Sequence, residues 1–179
     1  MKHDNYRIWS WIIAVVLLGT LWHFAYAISG DAYFVGLIAP VNESVWEHLK
    51  IVYLPILVIS VAQYCLLKNK RVNFWLGILT GTTLAMLIVI FGFYLYSSLL
   101  AESLVIDIGL YIASIIVALF TASWITKNTK KSKALEICSI ILIIMIGLVL
   151  VYATVAPPKI SPLLDSSTNT YGIYKLPAD

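Results

Sequence analysis

The sequence predicts an all-α fold, a polytopic membrane helix bundle of about five transmembrane helices in a single domain over residues 1–179. Hydrophobic residues make up 61% of the 179 residues and charged residues only 12%, whereas a soluble domain carries about 25% charged residues. The mean hydropathy is +0.92, and the apolar residues fall into five separate runs. Such a chain cannot hide its apolar surface from water by folding on itself, so the lipid bilayer is its expected solvent.

The five apolar runs take up most of the chain, and each is close to the length of about 20 residues that a spanning helix needs. They cover residues 8–28, 51–67, 74–98, 104–125 and 135–156. Two longer polar stretches remain, an outer motif segment at residues 29–50 and an outer tail at residues 157–179. Because little chain is left for a soluble domain, we expect the chemistry to use these two stretches or the helix ends beside them.

Lysine and arginine residues are divided unevenly between the two ends of the predicted helices. Nine of the 12 lie before the first span or in the loops after the second and fourth spans, and the other three are Lys50, Lys159 and Lys175. The nine are Lys2, Arg7, Lys68, Lys70, Arg71, Lys127, Lys130, Lys131 and Lys133. Because cytoplasmic loops carry an excess of Lys and Arg, we predict a cytoplasmic N-terminus and an outside C-terminus. The net charge of +3 reflects this topology and gives no indication of a nucleic-acid partner.

The first apolar run allows a second interpretation. Its basic start and the small-residue pattern Ala25-Tyr26-Ala27 resemble a signal peptide with its cleavage site. The run also carries tryptophans near both ends, Trp9 and Trp22, which is typical of a retained helix with aromatic residues at both membrane interfaces. We expect the helix to be retained, and the predicted topology of the later loops is the same in either case.

The third run has small residues at intervals of four, Gly77, Gly81 and Ala85. Small residues at this spacing allow two helix backbones to approach closely inside a membrane. The pattern therefore predicts tight packing of the third span against a neighbouring helix.

The outer motif segment contains the clearest local signals in the chain. Residues 33–39 form an apolar piece too short to span, which is expected to lie in the interface or to re-enter the membrane. Pro40 ends that piece, Asn42 is a favourable N-cap, and Glu43 suits the positive end of a helix dipole. We therefore predict a helix that starts at about Glu43 and continues into the second span.

On such a helix, Glu43 and Glu47 share one face, and Ser44 and His48 form the adjacent row. Two carboxylates at this spacing repel each other, so they need a partner. The partner can be a metal ion, a shared proton, a cationic substrate or a basic side chain, which Lys50 could supply. The alternative interpretation is that these residues are ordinary surface charges at the start of a helix.

Residues of other spans are predicted at the same level of the membrane. His23, at the outer end of the first span, could be a metal ligand, a general base or an interface residue bonded to a backbone carbonyl. Asp107 lies about one turn inside the fourth span, where an ionisable residue usually faces a bundle interior or a water-filled cavity. Its alternative role is an interfacial carboxylate that reaches water. Asp165 of the tail could also approach this level if the tail folds back, and a disordered tail is the other possibility.

These observations predict a polar site at the outer face of the bundle. Its expected metal ligands are His23, Glu43, Glu47 and His48, and its expected catalytic residues are Glu47, His48 and Asp107. The cofactor would be a divalent metal such as zinc. The expected partners are the lipid bilayer and a lipid or small-ion ligand.

The segment Ala-Pro-Val-Asn-Glu-Ser-Val-Trp-Glu-His-Leu-Lys at residues 39–50 resembles the signature of a family of small bacterial multi-span membrane proteins that is known only as a domain of unknown function. The final Pro157-Pro158, Pro162-Leu163 and Tyr171-Gly172-Ile173 are similar to the end of that family. The resemblance covers nearly the whole chain. It implies a multi-pass protein of the bacterial cytoplasmic membrane, and it implies no activity.

Three classes of function are consistent with the sequence. The first is a membrane-embedded, metal-dependent hydrolase that acts on a lipid or another amphiphile at the outer leaflet. The second is a component that binds or transports a cation or proton, and the third is a non-catalytic sensor or partner-binding protein. A converging, buried arrangement of His23, Glu43, Glu47 and His48 would favour the first two, whereas a splayed and solvated one would favour the third.

Overall fold

The structure, a computed structural model, describes residues 2–66 and 73–178. The helices in these ranges are α1 (Lys2–His23), α2 (Ala25–Ile28), α3 (Tyr33–Gly36), α4 (Val45–Leu66), α5 (Phe74–Ser97), α6 (Leu104–Asn128) and α7 (Lys133–Val155). The prediction of a helical bundle is therefore confirmed. Lys68, Lys70 and Arg71, which contribute to the topology prediction, lie outside the described residues.

Four helices of the described ranges, α4 to α7, are long and apolar enough to cross a membrane. The bounds of α5, α6 and α7 agree with the predicted runs to within three residues at every end. The apolar part of α1, Ile8–His23, is shorter than these four. The helix predicted over residues 8–28 is interrupted, because the N–H of Phe24 bonds the carbonyl of Leu21 three residues back, at 3.2 Å, and α1 ends at His23.

Helix α4 lies at the centre of the bundle, where it packs against α1, α5, α6 and α7. Its side chains Leu49, Val52 and Ile56 are almost completely buried and meet Val15 of α1 and Ile115 of α6 in one hydrophobic core. The helices that surround α4 instead present leucine, isoleucine and valine side chains on their exposed faces. This distribution suits a bundle whose surroundings are as apolar as its core.

Helices α5 and α6 pack closely along a seam of small residues. A Cβ atom added at Gly77 would lie 2.4 Å from the carbonyl oxygen of Ala122, and one at Gly81 would lie 2.3 Å from that of Ala118. Since no side chain fits at these distances, glycine is what allows the two backbones to approach. The predicted role of the small-residue row in packing is confirmed for these two glycines.

The start of α4 differs from the prediction. The hydroxyl oxygen of Ser44 accepts a hydrogen bond from the N–H of Glu47 at 3.3 Å, which is the bond that an N-cap residue makes. The side chain of Asn42 instead accepts from the N–H of Ser44 at 3.0 Å. The predicted cap at Asn42 and the predicted helix start at Glu43 are therefore wrong, and Glu43 lies in the loop before the helix.

The tail folds onto the end of the bundle. After a 3₁₀ turn at Ser161–Leu163, three short antiparallel strands follow in the order β1 (Leu164–Asp165), β2 (Thr170–Tyr171) and β3 (Leu176–Pro177). Leu163 and Tyr171 pack against Ala153 of α7, and the N–H of Ile173 donates to the carbonyl of Thr154 at 2.9 Å. The tail is thus ordered, and it adds a small sheet to the predicted all-α fold.

Candidate metal site at one end of the bundle

Two histidines and one glutamate converge where the end of α1 meets the start of α4. His23 is the last residue of α1, His48 lies in the first turn of α4, and Glu43 lies in the loop before α4. The Nε2 atoms of the two histidines are 3.2 Å apart. The Oε2 atom of Glu43 lies 3.7 Å from Nε2 of His23 and 3.4 Å from Nε2 of His48. One nitrogen or oxygen from each residue therefore points to a common position.

The orientation of His48 is fixed by the backbone of α4. Its Nδ1 atom lies 2.9 Å from the carbonyl oxygen of Ser44. Because a carbonyl oxygen can only accept, Nδ1 carries a proton and donates it. In the neutral imidazole, the lone pair is then on Nε2, the atom that faces His23 and Glu43. Histidine ligands of metals are commonly oriented by such a bond from the second ring nitrogen.

The three distances fit a small tetrahedral metal ion. An ion with bonds of about 2.0–2.2 Å holds its ligand atoms about 3.3–3.6 Å apart, and the distances between the three ligand atoms of this site are 3.2, 3.4 and 3.7 Å. Two imidazoles and one carboxylate also form a ligand set that zinc accepts. Three protein ligands leave one tetrahedral position for water or for another ligand.

Glu43 provides the negative charge of the cluster. The neighbouring imidazoles of His23 and His48 hold the pKa of its carboxyl group well below the usual range, although partial burial opposes this shift. The side chain is 59% exposed, whereas those of the two histidines are 27% and 28% exposed. The site is therefore anionic on its exposed side and more enclosed on its histidine side, as expected for a cation that enters from solution.

Glu47 does not join this cluster. Its Oε2 atom accepts from Nζ of Lys50 at 2.7 Å and from the N–H of Val41 at 3.1 Å, and its Oε1 atom accepts from the hydroxyl of Thr154 at 2.6 Å. Both carboxylate oxygens are thus occupied inside the protein. The expectation that Glu43 and Glu47 share one helical face is wrong, because Glu43 precedes the helix.

Lys50 uses all three of its N–H groups. Besides Glu47, it donates to the carbonyl oxygens of Gly36 at 2.9 Å and Ala39 at 3.1 Å. These carbonyls belong to the end of α3 and the turn after it, so Lys50 fixes the short apolar piece of the outer segment against α4. Lys50 was predicted as a possible basic partner of the two glutamates, and its ion pair with Glu47 agrees with this, whereas its contacts to the two carbonyls and the bond from Thr154 to Glu47 have no signal in the sequence.

Asp107 and Asp165 are the two other carboxylates considered for the site, and neither belongs to the cluster. Asp107, in the first turn of α6, accepts a hydrogen bond from the hydroxyl of Tyr96, and it is near enough to His48 to interact with it electrostatically. Asp165 accepts hydrogen bonds from Ser167 and Thr168 within the tail. In the described residues, the group with metal-ligand geometry consists of His23, Glu43 and His48.

The fold and this cluster define a class of protein. It is a helical bundle with membrane-spanning character and a histidine–carboxylate cluster near one end. The chain belongs to a family of unknown function, DUF6512, whose family model matches residues 1–173. Comparisons with curated proteins and with solved structures give no match. The family membership agrees with the resemblance found in the sequence.

Proposed function

We propose that this protein crosses the membrane five times, with its N-terminus in the cytoplasm, and binds a divalent transition metal, zinc by preference, through His23, Glu43 and His48 at the outer face. The observation that carries the proposal is the mutual spacing of the three ligand atoms, 3.2 to 3.7 Å. These separations are close to the edges of a tetrahedral coordination sphere, so one ion could contact all three ligand atoms at once.

The length of α1 supports a fifth span. Its apolar part, Ile8–His23, extends about 24 Å at 1.5 Å per residue, and the apolar α2 follows it directly, so the two helices together can approach the bilayer core thickness of about 30 Å. The end of α1 and the start of α4 meet at the metal cluster, so the two helices run in opposite directions. Five spans would put the N-terminus and the tail on opposite sides, as the distribution of Lys and Arg predicts.

Metal-dependent hydrolysis of an amphiphile is the activity that this ligand set favours. Catalytic zinc sites use three protein ligands and keep the fourth position for water, whose pKa falls to about 7 on the metal. His48 would hold the metal, and Asp107 is the nearby carboxylate that could accept a proton from the bound water. Glu47, whose oxygens bond Lys50 and Thr154, would position the outer segment instead of acting as a base.

The metal content of the purified protein tests the proposal. Elemental mass spectrometry of the wild type is expected to give about one zinc per chain after incubation with zinc and removal of the excess. His23→Ala and His48→Ala should lose this metal, and Glu43→Gln should lose most of it. His3 is the remaining histidine of the sequence, so His3→Ala is a matched control and should keep the metal. Equal metal in all variants, or none in the wild type, would overturn the metal site.

Hydrolysis is tested separately from binding. Zinc-loaded protein in mixed micelles is offered a set of ester and amide amphiphiles, and product release is followed by mass spectrometry. The expected result is turnover of one lipid class that is lost in Asp107→Asn although this variant still binds zinc. Retained turnover in Asp107→Asn would exclude Asp107 as the base, and metal binding without any turnover would leave cation binding as the function.

A further inference from the structure

A long apolar groove runs along the bundle between α5 and α7, and none of the three residues of the candidate metal site lines it. It has a volume of about 670 Å³, which is within the range of about 300–1,000 Å³ for small-molecule sites. Its walls extend from Leu79 to Leu87 on α5 and from Leu142 to Leu150 on α7. Each of these stretches is about 12 Å long at 1.5 Å per residue, so the groove is shaped for an extended chain.

The lining of the groove distinguishes it from a helix-packing seam. Leucine, methionine, isoleucine and valine side chains form most of its wall. Close helix association in a membrane uses small residues instead. The small residues Gly77 and Gly81 of α5 face α6 and not this groove. The bulky, flexible side chains around the groove are suited to contact with a hydrocarbon chain, because such a chain needs neither a close approach of two backbones nor a polar partner.

Trp46 closes the groove at the α4 end. It lies in the first turn of α4 and lines the groove together with Leu150 of α7. Its indole nitrogen is buried and has no hydrogen-bond acceptor among the described residues. An unpaired buried donor is destabilising, so an acceptor oxygen at the depth of Trp46 would stabilise the site once the indole turns its N–H towards that oxygen.

We propose that the groove binds one acyl chain of a glycerophospholipid, with the ester group of the lipid beside Trp46. The acyl chain lies in the apolar groove between α5 and α7, and the ester oxygen accepts a hydrogen bond from the indole N–H of Trp46. Trp46 lies at the outer end of α4 in the predicted topology, so the lipid comes from the outer leaflet. This proposal does not depend on the metal cluster, because none of His23, Glu43 and His48 lines the groove.

Photolabelling of the full chain in vesicles tests the proposal. The probe is a phosphatidylethanolamine with a diazirine in one acyl chain, and labelled peptides are mapped by mass spectrometry. Groove peptides of α5 and α7 are expected to take up at least fivefold more label than the exposed start of α6 around Val105, which is 80% exposed. Equal labelling of both regions means bulk lipid contact only and overturns the proposal.

Matched variants locate the bound chain. Val149→Trp fills the groove and should lower groove labelling at least fivefold, whereas Leu148→Trp is the control because Leu148 is exposed on the same helix and does not line the groove. Leu84→Trp, on the α5 wall, repeats the test if Val149→Trp does not fold. Unchanged labelling in both groove variants overturns the proposal. If the groove of the wild type is not labelled and Val149→Trp forms a smaller oligomer, a second copy of the protein occupies the groove. This result also overturns the proposal.

The role of Trp46 is tested with a second probe. Trp46→Phe should lower groove labelling by the ester-containing phospholipid about threefold or more and leave labelling by a diazirine-bearing alkane unchanged. An equal loss for both probes would mean that the residue only shapes the groove, and the ester assignment would fail.

Discussion

Nζ of Lys50 lies 2.7 Å from Oε2 of Glu47, and both side chains are only 3% exposed. Charges that are so completely buried are stable only when hydrogen bonds occupy their remaining sites. Here the remaining bonds reach the outer segment at Gly36, Ala39 and Val41 and the end of α7 at Thr154. The ion pair therefore fixes the loop that brings Glu43 to the two histidines.

Removal of one partner of this pair should be far more damaging than removal of both. Lys50→Met leaves the Glu47 carboxylate buried without its cation and should cost about 3–5 kcal/mol of folding free energy. The double variant Glu47→Leu, Lys50→Met removes both charges, so we expect it to recover at least half of that loss. Thermal unfolding in detergent measures the two variants against the wild type. A double variant no more stable than Lys50→Met would contradict this coupling.

The same pair is predicted to support the candidate metal site of His23, Glu43 and His48 indirectly. Lys50→Met should weaken zinc binding, because the 36–41 turn and Glu43 lose their anchor, although Lys50 itself is no ligand. The double variant should regain zinc binding less completely than it regains stability, since hydrophobic side chains cannot replace the bonds to Gly36 and Ala39. Calorimetric titration with zinc measures this difference, and equal recovery of both properties would contradict it.

Substitutions of glycine should separate the α5–α6 seam from the exposed helix faces. Gly81→Ala places a Cβ atom 2.3 Å from the carbonyl oxygen of Ala118, so the helices must move apart, at a cost of about 1–3 kcal/mol. Gly109 has no atom within 4 Å of the added Cβ position, and Gly109→Ala should be neutral or stabilise α6 by up to about 1 kcal/mol. Unfolding midpoints of the two variants give the comparison. Similar midpoints would argue against the close approach of α5 and α6.

The tail should loosen at low pH through Asp165. Burial raises the pKa of this carboxyl group, but hydrogen bonds from Ser167 and Thr168 outweigh it and lower the pKa below the ordinary Asp value. A lowered folded-state pKa means that the carboxylate stabilises the fold fully above the ordinary value, and this contribution is lost as the pH falls through the folded-state pKa. The protection factors of the β1–β3 amides, corrected for the intrinsic exchange rate at each pH, should therefore fall on acidification in that window. Asp165→Asn should show low protection factors at neutral pH and little further change with acid.

The sequence by itself determined the helical bundle and most helix bounds. Runs of apolar residues specify α5, α6 and α7 because a helix that spans a lipid bilayer needs an apolar side chain at nearly every position, whatever the neighbouring helices are. The small residues Gly77 and Gly81 likewise indicate a packing seam. Ser44 and Glu47 also have the Ser-x-x-Glu spacing of a helix start, a local signal that would have placed the cap correctly and kept Glu43 out of the helix.

Only the tertiary structure decided which polar residues work together. His23 and Glu43 are 20 positions apart in the sequence, and their approach depends on the turn that Lys50 holds, a contact with no local signature. Glu47 turns away from the histidines because Thr154, from the opposite end of the chain, offers it a hydroxyl at 2.6 Å. Helix periodicity can place residues on one face of a helix, but it cannot predict which partners distant segments supply. A buried carboxylate such as Glu47 pairs with the donors of those segments because its desolvation must be compensated.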